Sequence, residues 1–141
     1  MDKKYKNILV AVDGSEQSFN ALREAIEVTK RNSGKLHVLT VKDSEGIYGV
    51  VGQNTLEISD RDFIAQKIIR DATKIINERV DFETYIIAGS PKRRIVSFAE
   101  SQKIDLIMIG FSGAGMISKL LVGSTTTYVI SHTPCNVMVV R

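Results

Sequence analysis

Cysteine is almost absent from this chain: Cys135 is the only one in 141 residues. An internal disulfide is therefore excluded, and this usage points to a reducing, cytoplasmic setting. Tryptophan is missing, and proline occurs only at Pro91 and Pro134. Long apolar runs are missing too. The longest are strand-sized, well short of the roughly 20 residues of a membrane helix, so no membrane span is expected. The N-terminal MDKKYK is basic, but the apolar run after it is too short for a signal-peptide core and reads as a strand. The net charge is only +3, and the basic residues are dispersed without the aromatic interleaving of a nucleic-acid face. No Gly-x4-Gly-Lys-Ser/Thr occurs, so no lysine stands as in a P-loop. His37 and His132 have no nearby His, Cys or carboxylate pattern for metal or triad chemistry and read as structural. Cys135 reads as a small core residue. Nothing supplies an obvious general base for hydrolysis.

What is present is an ordinary globular composition, 43% hydrophobic and 25% charged, in a chain long enough for one domain with a sizeable core. Lys6 to Asp13 is a nearly continuous apolar run, as expected for a strand buried on both faces of a parallel sheet. Asp13-Gly14-Ser15 ends it, with Ser15 a cap and Glu16 favourable in the first turn of the next helix. Phe19, Leu22, Ala25, Ile26 and Thr29 recur at helical spacing, and Gly34 is the stop. Lys35 to Val41 is the second strand. Lys42 to Thr55 carries Gly46, Gly49 and Gly52 without strong periodicity, and reads either as a flexible flap or as a merely disordered loop. Leu56 to Val80 is the longest helix, with Phe63, Ile64, Ile68, Ala72, Ile75 and Ile76 on one apolar stripe. Phe82 to Ala88 is the third strand. Ser90 as cap and Pro91 at the first helical position open a helix that carries Ile95, Val96, Phe98 and Ala99 inward and stops near Lys103. Lys92, Arg93 and Arg94 in its first turn read as a solvated face, or else as a patch for an anionic partner.

The chain is organised around Asp105 to Thr127. A buried strand, Ile104 to Ile109, leads to Gly110, two residues, Gly113, nine residues, and Gly123-Ser124, where a short helix to Ser131 begins. Glycines let backbone N–H groups approach an anion, and the helix start adds unpaired donors and the positive dipole end. The same glycines also suit a tight loop with no ligand. Lys119, within the loop, is a candidate phosphate contact whose aim the sequence does not give. Pro134 then breaks the chain before a last strand, Cys135 to Arg141.

Strict β-α alternation with right-handed crossovers predicts an α/β fold: a parallel sheet of five strands with helices on both faces. Such sheets bind ligands beyond the carboxyl ends of their strands, where strand order reverses. Asp13, Val41 and Gly110 all fall on that edge. Asn136 to Val140 is apolar and uncharged, a poor exposed edge, and predicts a homodimer through this strand.

These residues resemble the universal stress protein family, in its single-domain, UspA-like, ATP-binding subgroup. Asp13-Gly14-Ser15 resembles the family's opening, and Gly89-Ser90-Pro91 its Gly-x-Pro. Gly110-x2-Gly113-x9-Gly123-Ser124 matches its Gly-x2-Gly-x9-Gly-Ser/Thr motif without a gap. The likeness spans residues 1–141 as one domain, apart from the loop Asp43 to Thr55. It implies strand order 3-2-1-4-5 in a Rossmann-like, adenine nucleotide alpha hydrolase-like fold. It also implies a site for ATP, ADP or AMP with Mg2+ or Mn2+. Asp13 would accept hydrogen bonds from the nucleoside, Ala11 and Val12 would line its pocket, and the Val41 backbone would read the adenine edge. Gly110 would lie by the ribose with Ile109 behind it, and Gly113, Gly123, Ser124 and Thr125 would hold the phosphates. Against these roles stand plainer ones: Ala11, Val12, Val41 and Ile109 as core, Asp13 as a helix cap.

Three functions follow. The first is a nucleotide-binding stress-response regulator or switch, with at most slow ATP hydrolysis and no catalytic residues. The second is an enzyme cleaving or transferring adenylate, for which no activated nucleophile or metal cluster is found. The third is an interaction protein without nucleotide, typical of family members lacking the glycine motif. A receiver domain fits poorly, because Ala88-Gly89 stands where it needs an Asp.

Overall fold

In the computed structural model, residues 5–44, 57–113 and 121–141 are described. Among them, strands β1 (Asn7–Ala11), β2 (Lys35–Asp43), β3 (Asp81–Gly89), β4 (Leu106–Gly110) and β5 (Asn136–Val140) alternate with four helices. The helices are α1 (Glu16–Asn32), α2 (Glu57–Ile76), α3 (Pro91–Ser101) and α4 (Ser124–His132). The sheet order is β3-β2-β1-β4-β5, and all four pairings are parallel, with Ile8 beside both Leu36 and Leu106. The expected fold class is therefore the observed one.

Side-chain alternation along the strands builds two cores. Ile8, Val10, Leu36, Val38 and Met108 pack under α1 and α2. Leu9, Leu39, Ile107 and Ile109 pack on the other face with Ile95 and Phe98 of α3 and Val129 of α4. Both faces are covered, which is why the central strands read as continuous apolar runs.

Several expected boundaries move, each for a local reason. The first strand ends at Ala11, not Asp13, because the Asp13 carboxylate turns to accept the Ser15 N–H at 2.9 Å. Ser15 caps α1 as expected, accepting from the Ser18 N–H. The left-handed residue closing α1 is Ser33, at φ 52°, rather than Gly34. Gly34 is needed for another reason: a Cβ there would lie 2.8 Å from the Tyr5 carbonyl. The second strand runs on to Asp43. Helix α2 stops at Ile76, not Val80, because Asn77 and Glu78 both turn left-handed. The Arg79 guanidinium closes that end on the Ile75 and Ile76 carbonyls. Phe63 and Ile64, placed on the inward stripe by periodicity, are exposed, at 64% and 55%. Ala72 and Ile76 of that stripe are buried as expected, and Ala65, which the stripe left out, is buried with them. Ser90 occupies the cap position of α3, but its side chain makes no capping bond.

Of the three cations in α3's first turn, Arg93 and Arg94 are exposed, as a solvated face requires, but two of the three are also engaged within the fold. Arg94 donates to the Ala88 carbonyl, and the Lys92 ammonium lies 5.2 Å from the Tyr128 ring centre. Among the described residues, no helix is long and apolar enough to cross a membrane.

His37 is structural, as expected. It is buried, with Nδ1 3.0 Å from the Tyr85 hydroxyl and Nε2 3.0 Å from Asn7 Oδ1, so it ties β1, β2 and β3 together. Burial foremost, and then the Lys35 charge, hold its pKa below the ordinary 6.5, against the opposing pull of Glu83, Asp81 and Asp105. The unfolded chain thus takes up this proton first as pH falls. His37's contribution is complete above about 6.5 and is lost on acidification below it. The melting temperature should therefore fall between pH 6.5 and 5, and fall less in His37→Gln; equal slopes for the two proteins would contradict this.

Candidate functional site

The carboxyl ends of β1, β2 and β4 open into one cleft of about 410 Å³. It lies where the connections reverse, since β1 to β3 are laid down to one side of β1 and β4 and β5 to the other. All ten positions singled out from the sequence line it: Ala11, Val12, Asp13, Val41, Ile109, Gly110, Gly113, Gly123, Ser124 and Thr125. The alternative readings also find support in part. Val12 and Ile109 are core residues, 2% and 5% exposed, that reach the cleft only at its floor.

Each glycine of the motif has its own packing reason. A Cβ on Gly110 would lie 3.1 Å from the backbone carbonyl group of Gln17, in the first turn of α1. One on Gly113 would lie 2.5 Å from Asp13 Oδ2, and one on Gly123 would lie 3.3 Å from Ser112 Cα. The loops after β1 and β4 are thus pressed together, with Asp13 between them.

Two clamps hold this arrangement. Gln17 Oε1 accepts from both the Ser112 N–H, at 2.7 Å, and the Ser112 hydroxyl, at 3.0 Å. Thr126 Oγ1 donates to the Gly110 carbonyl at 2.8 Å, pinning α4 to the end of β4. Gly123 caps α4, donating its N–H to the Phe111 carbonyl, and accepts the first intrahelical bond, from Thr127. The N–H groups of Ser124, Thr125 and Thr126 precede that ladder, and the Ser124 and Thr125 hydroxyls make no hydrogen bond among the described residues. The result is a cluster of donors at the positive end of a helix dipole, facing a cleft.

The rim by β2 carries features that sequence reasoning missed. Lys42 pairs with Asp62, and Arg61 donates to the Asp43 carbonyl at 2.9 Å, so the start of α2 is tied to the end of β2. Ile64, Ala65 and Ile68 of α2 also line the cleft. Lys119 and the glycines Gly46, Gly49 and Gly52 lie outside the described residues. His132 is apart from the cleft, stacked on Tyr128 with ring centres 3.8 Å apart. Cys135 is half-buried against the α3 and α4 core.

A model described as the universal stress protein family matches residues 4–141. The chain belongs to the universal stress protein family. A putative universal stress protein of Staphylococcus haemolyticus is 36% identical to it, over 97% of this chain and 85% of the relative. The solved structure of the universal stress protein UspA from Lactobacillus plantarum is 32% identical, with a TM-score of 0.85, and covers 98% of this chain and 99% of its own. Two further members share the fold at lower identity. One, solved in complex with cAMP, is 23% identical with a TM-score of 0.77 and covers 98% of each chain. The other, from Archaeoglobus fulgidus in complex with dAMP, is 22% identical with a TM-score of 0.75, covering 98% of this chain and 99% of its own.

Within this family member, the Gln17 clamp generates a direct test. Gln17→Leu leaves the Ser112 N–H and hydroxyl without an acceptor, at a residue only 5% exposed. It should lower stability by about 1–3 kcal/mol in urea unfolding. Wild-type stability in that variant would show that Gln17 does not hold the loop.

Proposed function

We propose that this universal stress protein is an adenine-nucleotide-binding module that takes ATP, or ADP or AMP, in the cleft above β1, β2 and β4. The observation that carries the reading is the donor cluster at the start of α4. Three N–H groups outside the helical ladder and two unengaged hydroxyls meet the two side-chain-free positions Gly113 and Gly123, all on one cleft. The nucleotide complexes of two structural neighbours, with cAMP and dAMP, support the same ligand class. The phosphates would sit on Gly113, Gly123, Ser124 and Thr125. The nucleoside would extend toward β1 and β2, past Gly110, with Ala11, Val12, Asp13, Val41 and Ile109 around it.

Mg2+ or Mn2+ would arrive on the phosphates. Among the described residues, no group of three or more His, Cys, Asp or Glu side chains is placed to hold one. Magnesium bound chiefly by phosphates and its own waters needs few protein ligands.

Binding rather than turnover is the proposed activity, serving a regulatory switch in the cytoplasm. Its readout is a protein partner or the dimer state, not nucleic acid or a membrane. Gly113→Val should abolish Mg-ATP binding in calorimetry. The larger side chain displaces Asp13 and enters the phosphate cradle, while both cores stay intact. Unchanged affinity would refute the site. Sustained ATP turnover by the wild type at ~1 s⁻¹ or faster, within the usual enzyme range, would instead favour the enzyme reading.

The edge strand β5 supports a homodimer. Met138 and Val139 are 41% and 37% exposed on a strand whose outer backbone has no partner among the described residues. Light scattering at micromolar concentration should give twice the chain mass; the mass of a single chain would count against that interface.

A further inference from the structure

The cleft wall formed by β2 and α2 holds one polar side chain that is out of keeping with the others. Four buried hydroxyl residues line the cleft: Ser18, Thr40, Ser112 and Thr126. Ser18 donates to the Ser15 carbonyl, Ser112 to Gln17 and Thr126 to the Gly110 carbonyl. Thr40, only 2% exposed, makes no side-chain hydrogen bond among the described residues. A buried hydroxyl without a partner is costly, and native proteins rarely keep one without a reason.

Its direction follows from the strand. Leu39 and Val41, on either side, belong to the core under α3 and α4, so Thr40 points to the opposite face. It shares the lining of the cleft with Ala65, Ile68 and the 55%-exposed Ile64 of α2, beside the charged Lys42, Asp43 and Arg61. The apolar part of this lining, with its unengaged hydroxyl, suits a flat heterocycle, which needs apolar cover for its face and a hydrogen bond for its edge. The position fits as well. β2 and β4 flank β1, so this wall is about two strand spacings, roughly 10 Å, from the donors beyond β4, a span that separates base from phosphate in a nucleotide.

We propose that Thr40 is a specificity-determining residue whose hydroxyl hydrogen-bonds the base edge of the bound adenine nucleotide, with Ile64, Ala65 and Ile68 covering the base. The inference rests on the nucleotide reading above and adds a contact to it. Thr40→Val keeps the shape and removes only the hydroxyl, whereas Thr40→Ser keeps the hydroxyl. Calorimetry with ADP, together with melting of each ligand-free protein, separates the outcomes. Thr40→Val should weaken ADP binding roughly five- to fiftyfold. Its ligand-free melting temperature should be no lower than that of the wild type, and Thr40→Ser should stay within about threefold of wild-type affinity. If Thr40→Val binds ADP as the wild type does, the contact is refuted and the nucleotide site stands. Weakened binding that goes with a lowered ligand-free melting temperature and is not rescued by Thr40→Ser would make Thr40 a packing residue, and would also overturn the inference. If the wild type itself takes up neither ADP nor ATP, the nucleotide reading falls and this contact falls with it.

Discussion

Gly110 has no side chain because the first turn of α1 occupies the space one would need. The end of β4 and the backbone of Gln17 approach so closely that a methyl group would sit 3.1 Å from a carbonyl group. Much of the upper edge depends on that approach. It sets β4 against the start of α1 and brings the loop after β4 onto the loop after β1. It also places Ser112 where Gln17 can accept both of its protons. Because Thr126 reaches back to the Gly110 carbonyl, the same approach fixes where α4 begins and where its free donors point.

The sheet topology turns this local packing into a site. With β1 in the centre and the chain filling first one side and then the other, the helices that follow β1 and β4 pack on opposite faces of the sheet. A crevice opens between them. Its floor is apolar and already buried by the two cores. Its β4 side is rich in backbone and hydroxyl donors, and its β2 side combines Ile64, Ala65, Ile68 and one unengaged hydroxyl with a charged rim of Lys42, Asp43 and Arg61. That gradient from donors to apolar cover matches a ligand that is anionic at one end and aromatic at the other.

The sequence made the elements and the edge legible, because a doubly covered parallel sheet needs continuous apolar strands and because glycines cluster where backbone passes close to backbone. Asp13, Val41, Gly110, Gly113, Gly123 and Ser124 lie on the cleft for that reason, whereas Ala11, Val12, Ile109 and Thr125 were assigned only through the family resemblance. Ends of elements were harder to read. Ser33 and Glu78 adopt left-handed backbone that their residue types do not favour, and Asn77 alone carried a weak signal for its turn. Phe63 and Ile64 fit a helical period yet stand outside the core, since the sheet beneath α2 covers only part of its stripe. Gln17 and Thr40 were invisible. The partner of Gln17 lies 95 residues away, and the character of Thr40 comes from the absence of a partner, which only three-dimensional packing reveals.

The central claim, that this edge holds an adenine nucleotide, is tested most directly by what the protein carries. The measurement is to purify it without added nucleotide, denature it, and identify the released small molecule by chromatography and mass. The account predicts adenine nucleotide in near-stoichiometric amount, or, from an emptied protein, uptake of Mg-ATP in calorimetry. A protein that releases none and binds none would contradict it, and the glycines would then serve only the close packing of two loops.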